Sequence, residues 1–257
     1  MTLTVEQWLL GALAALLVGF SKTGVPGVGI LVVPLMAIVF QDRAAVGTTV
    51  LLLIFADLFA VYWYRRYTRW DKLLQLLPWV ALGMLIGMLT LLFVGEDAQG
   101  RDQINVWIGA LVLIMLAVHL ARLKWGDRLR PSSRVGLAAT GSAAGFATTV
   151  SNAAGPIMSI YMTGLGLPKH EFMGTTAWYF LIFNVAKVPL YLVVMSLAPE
   201  RPLFTLEGLI FDAFMLPVIV IGVLVGRWAL PRIPQEVFNG LALGLAALAA
   251  LRLILMR

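Results

Sequence analysis

The chain has 257 residues, of which 61% are hydrophobic and only 12% charged, with a mean hydropathy of +0.93. Soluble domains carry about 25% charged residues, so the long uncharged runs exclude a single large soluble domain and define an all-α polytopic membrane protein. The net charge of +6 is not a nucleic-acid footprint, because most basic residues fall in short loops between apolar runs. With no cysteine in the sequence, disulfides, thiol nucleophiles and thiolate metal sites are excluded.

No Lys or Arg precedes Lys22, so the basic flank of a cleavable signal peptide is missing, and the first apolar run, about 5–19, is read as part of the fold. It leads into Gly19-Phe20-Ser21-Lys22-Thr23-Gly24-Val25-Pro26-Gly27-Val28-Gly29, whose glycines and proline do not continue a regular helix cheaply. Irregular backbone at membrane depth is tolerated where it is buried in protein or lines a cavity. Freed N–H groups at a helix N-terminus around Gly24, with Ser21, Thr23 and the Lys22 ammonium, suit an anion. The plainer alternative is a loop at the membrane face, with Lys22 snorkelling into headgroups.

Apolar runs at about 28–40, 46–64, 73–94 and 103–121 complete the first half. The third opens on Gly47-Thr48-Thr49 and carries Asp57 in its interior. Tyr62, Trp63, Tyr64, Tyr67 and Trp70 read as an interfacial aromatic belt. His119 sits beside Arg122 and Lys124 and reads as interfacial. The second half has runs at about 135–148, 153–167, 174–197, 206–227 and 236–256. Its first break is Gly145-Phe146-Ala147-Thr148-Thr149-Val150-Ser151-Asn152-Ala153-Ala154-Gly155-Pro156. Ser151 and Asn152 there are candidate anion donors without charge; helix packing uses the same residue types. His170 reads as a loop residue, and Trp178 and Tyr179 as path-lining or lipid-anchoring.

The two halves repeat. Gly47-Thr48-Thr49 runs on to Val61 and Tyr64, and Gly174-Thr175-Thr176 runs on to Val188 and Tyr191 at the same spacings. Pro78, Gly83 and Gly87 recur as Pro217, Gly222 and Gly226, and Trp107-Ile108-Gly109 is loosely echoed by Phe238-Asn239-Gly240. Asp57 and Asn184 occupy equivalent positions, with Lys187 on nearly the same helix face as Asn184. Thr48, Thr49, Thr175 and Thr176 are expected to open their helices, where capping and substrate binding draw on the same unpaired N–H groups. A charged residue inside a membrane segment is a functional candidate: Asp57 either carries a coupling proton or pairs with a cation such as Lys187.

Loop charge sets the expected topology. Arg65, Arg66, Arg69 and Lys72 form one basic loop, Arg122, Lys124, Arg128, Arg130 and Arg134 another, and Arg227 and Arg232 a third. These are cytoplasmic by the positive-inside rule, while the loops near Glu96, Asp97 and Asp102 and near Glu200 and Arg201 are external. Five segments per half is an odd number, so the halves form two inverted repeats, 1–125 and 135–257, joined by a basic cytoplasmic linker at 126–134. The first two segments of each half are short, about 13–15 residues against about 20 needed to span, which suits re-entrant half-helices as well as tilted spans.

The Gly19-Phe20-Ser21-Lys22 turn, Gly47-Thr48-Thr49, the Gly145-to-Pro156 stretch and Gly174-Thr175-Thr176, in this duplicated order, resemble the TauE/SafE sulfite-exporter family over nearly the whole chain. The resemblance implies secondary transport of sulfite or an organosulfonate such as sulfoacetate, with the lipid bilayer and a small sulfur-containing anion as partners. It leaves open import of thiosulfate or another sulfur source, and a passive channel or accessory subunit. An inside-negative potential favours anion exit by about 2.3 kcal/mol per charge per 100 mV. No enzyme activity, cofactor, metal or nucleic acid is expected, and the expected location is a bacterial inner membrane.

Overall fold

The computed structural model describes residues 3–40, 42–93, 109–110, 112–117, 120, 134–197, 199 and 202–255. The predicted acidic loop at Glu96, Asp97 and Asp102, the echo at Trp107-Ile108, His119, the basic run Arg122 to Arg130 and the loop residues Glu200 and Arg201 lie outside them. Among the described residues there is no strand. The helices are α1 (Val5–Thr23), α2 (Val32–Val39), α3 (Asp42–Tyr64), α4 (Trp70–Phe93), α5 (Arg134–Ser151), α6 (Ala154–Gly164), α7 (Lys169–Leu197), α8 (Leu206–Ala229) and α9 (Gln235–Leu255). Residues 109–110 and 112–117 are also helical. Five stretches, Val5–Thr23, Ala44–Tyr67, Trp70–Leu92, Lys169–Leu197 and Leu206–Arg232, are long and apolar enough to cross a membrane.

Thr4 starts α1 with a capping box: its N–H donates to Gln7 Oε1 at 2.9 Å, and Gln7 N–H donates back to Thr4 Oγ1 at 3.3 Å, satisfying donors that the first turn leaves open. The helix runs past its apolar stretch because the hydroxyls of Ser21 and Thr23 donate back to the Val18 and Gly19 carbonyls, at 3.0 and 3.1 Å. Ser21, Lys22 and Thr23 therefore sit in the last turn of α1, not at a helix N-terminus as the sequence suggested. The break begins at Gly24, turns at Gly27 (φ 95°), and passes through a 3-10 turn, Val28–Leu31, into α2. At 19 residues α1 has span length; half-helix length applies to α2, with 8 residues, and α6, with 11.

The threonine pairs also require a correction. The helices α3 and α7 begin at Asp42 and Lys169, so Thr48, Thr49, Thr175 and Thr176 fall in the second turn and cap nothing. Thr49 and Thr176 bond their hydroxyls to the Ala45 and Met173 carbonyls, at 2.5 and 3.2 Å. The overlooked signal was Pro168, whose carbonyl receives Phe172 N–H at 2.9 Å; proline marks helix beginnings.

Contacts divide the chain into two compact units, Met1–Thr68 with Met173–Pro234, and Arg69–Phe172 with Gln235–Arg257. In the first, α1 crosses α8 backbone to backbone. A Cβ on Gly19 would strike the Ile219 carbonyl and lie 2.7 Å from Val223 N; one on Gly24 would lie 2.7 Å from Gly226 Cα. Beside this seam Val18, Met36, Leu52, Phe211 and Ile219 form a buried core, and Trp8 and Phe40 pack on Phe211 with ring centroids 5.3 and 5.1 Å away. In the second unit α5 crosses α4 the same way. A Cβ on Gly145 would strike the Val80 carbonyl and lie 2.9 Å from Met84 N, and one on Gly83 would lie 2.8 Å from Ser142 Cα. Small residues permit this approach where lipid supplies no hydrophobic drive.

Candidate functional site

Four of the polar side chains of the first unit form a cluster in apolar surroundings. Asp57 on α3 and Lys187 on α7 are fully buried, and Asn184 on α7 is 1% exposed. Lys22 Nζ lies 2.7 Å from Asp57 Oδ1, and its side chain is 9% exposed. Asn184 Nδ2 donates to Asp57 Oδ2 at 2.6 Å. Lys22 Nζ also sits 3.8 Å from the centroid of the Phe180 ring, whose face attracts a cation. Phe180, Asn184 and Lys187 share one face of α7 by their spacing, and Lys187 is within electrostatic reach of both Lys22 and Asp57.

The end of α1 is anchored so that Lys22 points into this cluster. Thr23 Oγ1 donates to the Val223 carbonyl of α8 at 2.8 Å. Tyr64 Oη, from the end of α3, donates to the Thr23 carbonyl at 2.7 Å. Removing two charges from water costs several kcal/mol per ion; the Lys22–Asp57 contact and the Asn184 amide offset part of that cost. Two lysine side chains stand near a single carboxylate. The Asp57 carboxylate is held on one oxygen by an ammonium and on the other by an amide.

The structure thus gathers Ser21, Lys22, Thr23, Asp57, Asn184 and Lys187 in one unit. The hydroxyls of Ser21 and Thr23 face backbone carbonyls there, and Gly24 packs on Gly226. Thr48, Thr49, Thr175 and Thr176 belong to the same unit and are buried; Thr48 Oγ1 faces the backbone of Gly208. Ser151 and Asn152 belong to the second unit, where α5 ends. Asn152 adopts a left-handed conformation, φ 54°, which asparagine tolerates better than most residues. Its N–H donates to the Thr148 carbonyl at 3.2 Å, and Ser151 Oγ donates to the Ala147 carbonyl at 3.3 Å.

Two residues escaped the sequence reading. Counting from each Gly-Phe pair, Thr148 stands three residues after Gly145 as Lys22 stands three after Gly19, and it is 2% exposed. Asp212, inside the apolar run of α8, is 7% exposed; as an ionisable residue in a membrane segment it carried a signal of its own. Of the five residues read as an aromatic belt, Tyr62, Tyr67 and Trp70 are exposed and Arg227 lies over Trp63 at 4.7 Å, but Tyr64 is buried, with its hydroxyl on the Thr23 carbonyl, and does not belong to a belt. Tyr179 is fully buried and does not anchor in lipid, while His170 lies in the first turn of α7 rather than in a loop. Among the described residues, no group of three or more His, Asp or Glu gathers as metal ligands.

Span-length apolar helices enclosing a charged cluster define an integral membrane protein with a polar interior, the build of a transporter. The sequence profile of the Sulfite exporter TauE/SafE family matches residues 11–253. The chain belongs to that family of membrane transporters for sulfur anions. No curated protein and no solved structure matches the chain.

Proposed function

We propose that this protein is a secondary exporter of a small sulfur-containing anion, sulfite or an organosulfonate such as sulfoacetate, working by alternating access in a bacterial inner membrane. The observation that carries the reading is the Lys22–Asp57–Asn184 cluster, with Lys187 in reach. An incoming oxyanion competes with the Asp57 carboxylate for Lys22 and the Asn184 amide, so the site holds substrate without trapping it. Lys22 and Lys187 are the candidate charge donors, and Ser21, Thr23 and Gly24 shape the end of α1 that presents Lys22. Thr48, Thr49, Thr175 and Thr176 are buried in the second turns of α3 and α7 and support the same unit. Ser151 and Asn152, at the end of α5 in the second unit, are candidate uncharged donors.

Alternating access requires two related halves, taken here as 1–125 and 135–257 around the 126–134 linker, placed upside down to one another. The meeting of Asp57 with Asn184 supports this arrangement, because the two occupy equivalent repeat positions. Self-contact between equivalent positions is what a two-fold axis between copies produces. The short helices α2 and α6 are read as re-entrant arms. The test is a thermal-shift titration of purified protein with sulfite, thiosulfate, sulfoacetate, sulfate and chloride, in which a ligand raises apparent stability as RT ln(1 + [L]/Kd). A selective, saturable shift with one sulfur anion, lost in Lys22→Ala, is expected; equal shifts in the variant remove Lys22 from the site.

A further inference from the structure

Asp212 on α8 is unused by the anion cluster, although it lies in the same unit. It is 7% exposed, and among the described residues neither of its carboxylate oxygens has a hydrogen-bond partner. It borders a cleft of about 280 Å³ whose other walls are Leu51, Leu52, Ile54, Phe55 and Leu58 of α3 and Ala213 and Leu216 of α8. None of those five α3 side chains titrates, and the carboxylate that α3 does carry in this stretch, Asp57, is held by Lys22 and Asn184. Trp8 of α1 and Phe40, just past the end of α2, which pack on neighbouring Phe211, do not titrate either. On α8 the nearest ionisable residue in sequence is Glu207, five positions earlier.

An ionised carboxylate in such surroundings lacks both a counter-charge and a donor, and buried groups in that position neutralise instead. A metal cation is a poor neutraliser here, since sodium- or calcium-like ions need several oxygen ligands and the leucine, isoleucine and phenylalanine walls offer none. A proton needs a single oxygen. We propose that Asp212 is the proton-binding site through which this carrier draws on a proton gradient. One proton adds to a carboxylate oxygen when the cleft is closed to water and leaves when it is wetted; no other bond changes. The proposal rests on the carrier reading given above.

The experiment uses the full chain in proteoliposomes, with sulfite as substrate and the membrane potential clamped. For one coupled proton, a gradient of about one pH unit shifts the steady-state sulfite ratio about tenfold. Sulfite itself takes up a proton near neutrality, so the readout is the difference between wild type and Asp212→Asn. The variant is expected to keep sulfite counterflow while losing the gradient-dependent component. A variant that accumulates sulfite like wild type, or accumulation driven by sodium instead of protons, overturns the proposal.

A second arm needs no substrate. A membrane-soluble carbodiimide adds to a protonated carboxyl: the acid proton passes to a carbodiimide nitrogen as the carboxyl oxygen bonds the central carbon, and an acyl shift leaves a stable N-acylurea. Mass spectrometry of wild-type protein should find this adduct on Asp212, decreasing as pH rises. Its absence overturns the proposal even if Asp212→Asn does not fold. Wild type that carries no sulfur anion but labels at Asp212 sinks the substrate reading and leaves the proton site standing.

Discussion

The two glycine-lined helix crossings, α1 on α8 and α5 on α4, use one packing device and end in different chemistry. Gly19 meets Ile219 and Val223 in one unit as Gly145 meets Val80 and Met84 in the other. Even the hydroxyl after the glycine repeats: Thr23 donates to the Gly19 carbonyl at 3.1 Å and Thr149 to the Gly145 carbonyl at 2.9 Å. One residue earlier they part. The first crossing presents Lys22 to a buried carboxylate; the second presents Thr148, buried and uncharged. Shared residues in the duplicated pattern thus carry architecture, and the buried charge stands at the position where the copies differ.

The largest effect is expected at that position. Lys22→Ala leaves Asp57 as an uncompensated buried charge, a loss of about 3–5 kcal/mol, seen as a lower unfolding midpoint in detergent and abolished transport in vesicles. Adding Asp57→Asn removes the stranded charge, so the double variant should recover most of the stability and none of the transport. Recovered transport in that double variant would reduce the cluster to a structural lock.

Next come the crossings themselves. Gly19→Val and Gly145→Val each force two backbones apart, at about 1–3 kcal/mol or more, and the two losses should be similar by thermal unfolding. A large difference would break the equivalence of the two seams. Asn152→Gly suits the left-handed backbone, so stability should stay within about 0.5 kcal/mol. If Asn152 donates to substrate, apparent affinity in a transport titration should drop about tenfold through the loss of one hydrogen bond to an anion. Unchanged affinity would leave Asn152 as a turn residue alone. The smallest effect is Thr149→Val, which removes one intrahelical hydroxyl bond and should cost about 1 kcal/mol or less, without altering transport.

Much of this was legible in the chain. Low charge and long apolar runs gave the helices, because a segment in hydrocarbon satisfies its backbone only by helix formation. The duplicated glycines were visible as a repeat though not as crossings, and Asp57, Asn184 and Lys187 stood out as polar residues in apolar runs. Helix ends were less legible. Hydroxyl side chains that bond to their own preceding turn let α1 continue to Thr23, and Pro168 moved the start of α7 a full turn and more ahead of Gly174-Thr175-Thr176.

What the sequence determined by itself was class, family pattern and the identity of the polar residues. Pairing was decided only by tertiary structure. Asp57 could have met Lys187, on the same helix face as its repeat equivalent, yet its direct ionic partner is Lys22 on α1, with Asn184 on its other oxygen. The reason is geometric: α1 approaches α8 at glycine distance, and Thr23 and Tyr64 anchor its last turn, which brings a lysine that the sequence placed in a glycine-broken segment against a carboxylate on α3. Asp212 shows the converse, for among the described residues the cleft walls that packing brings to it are all apolar.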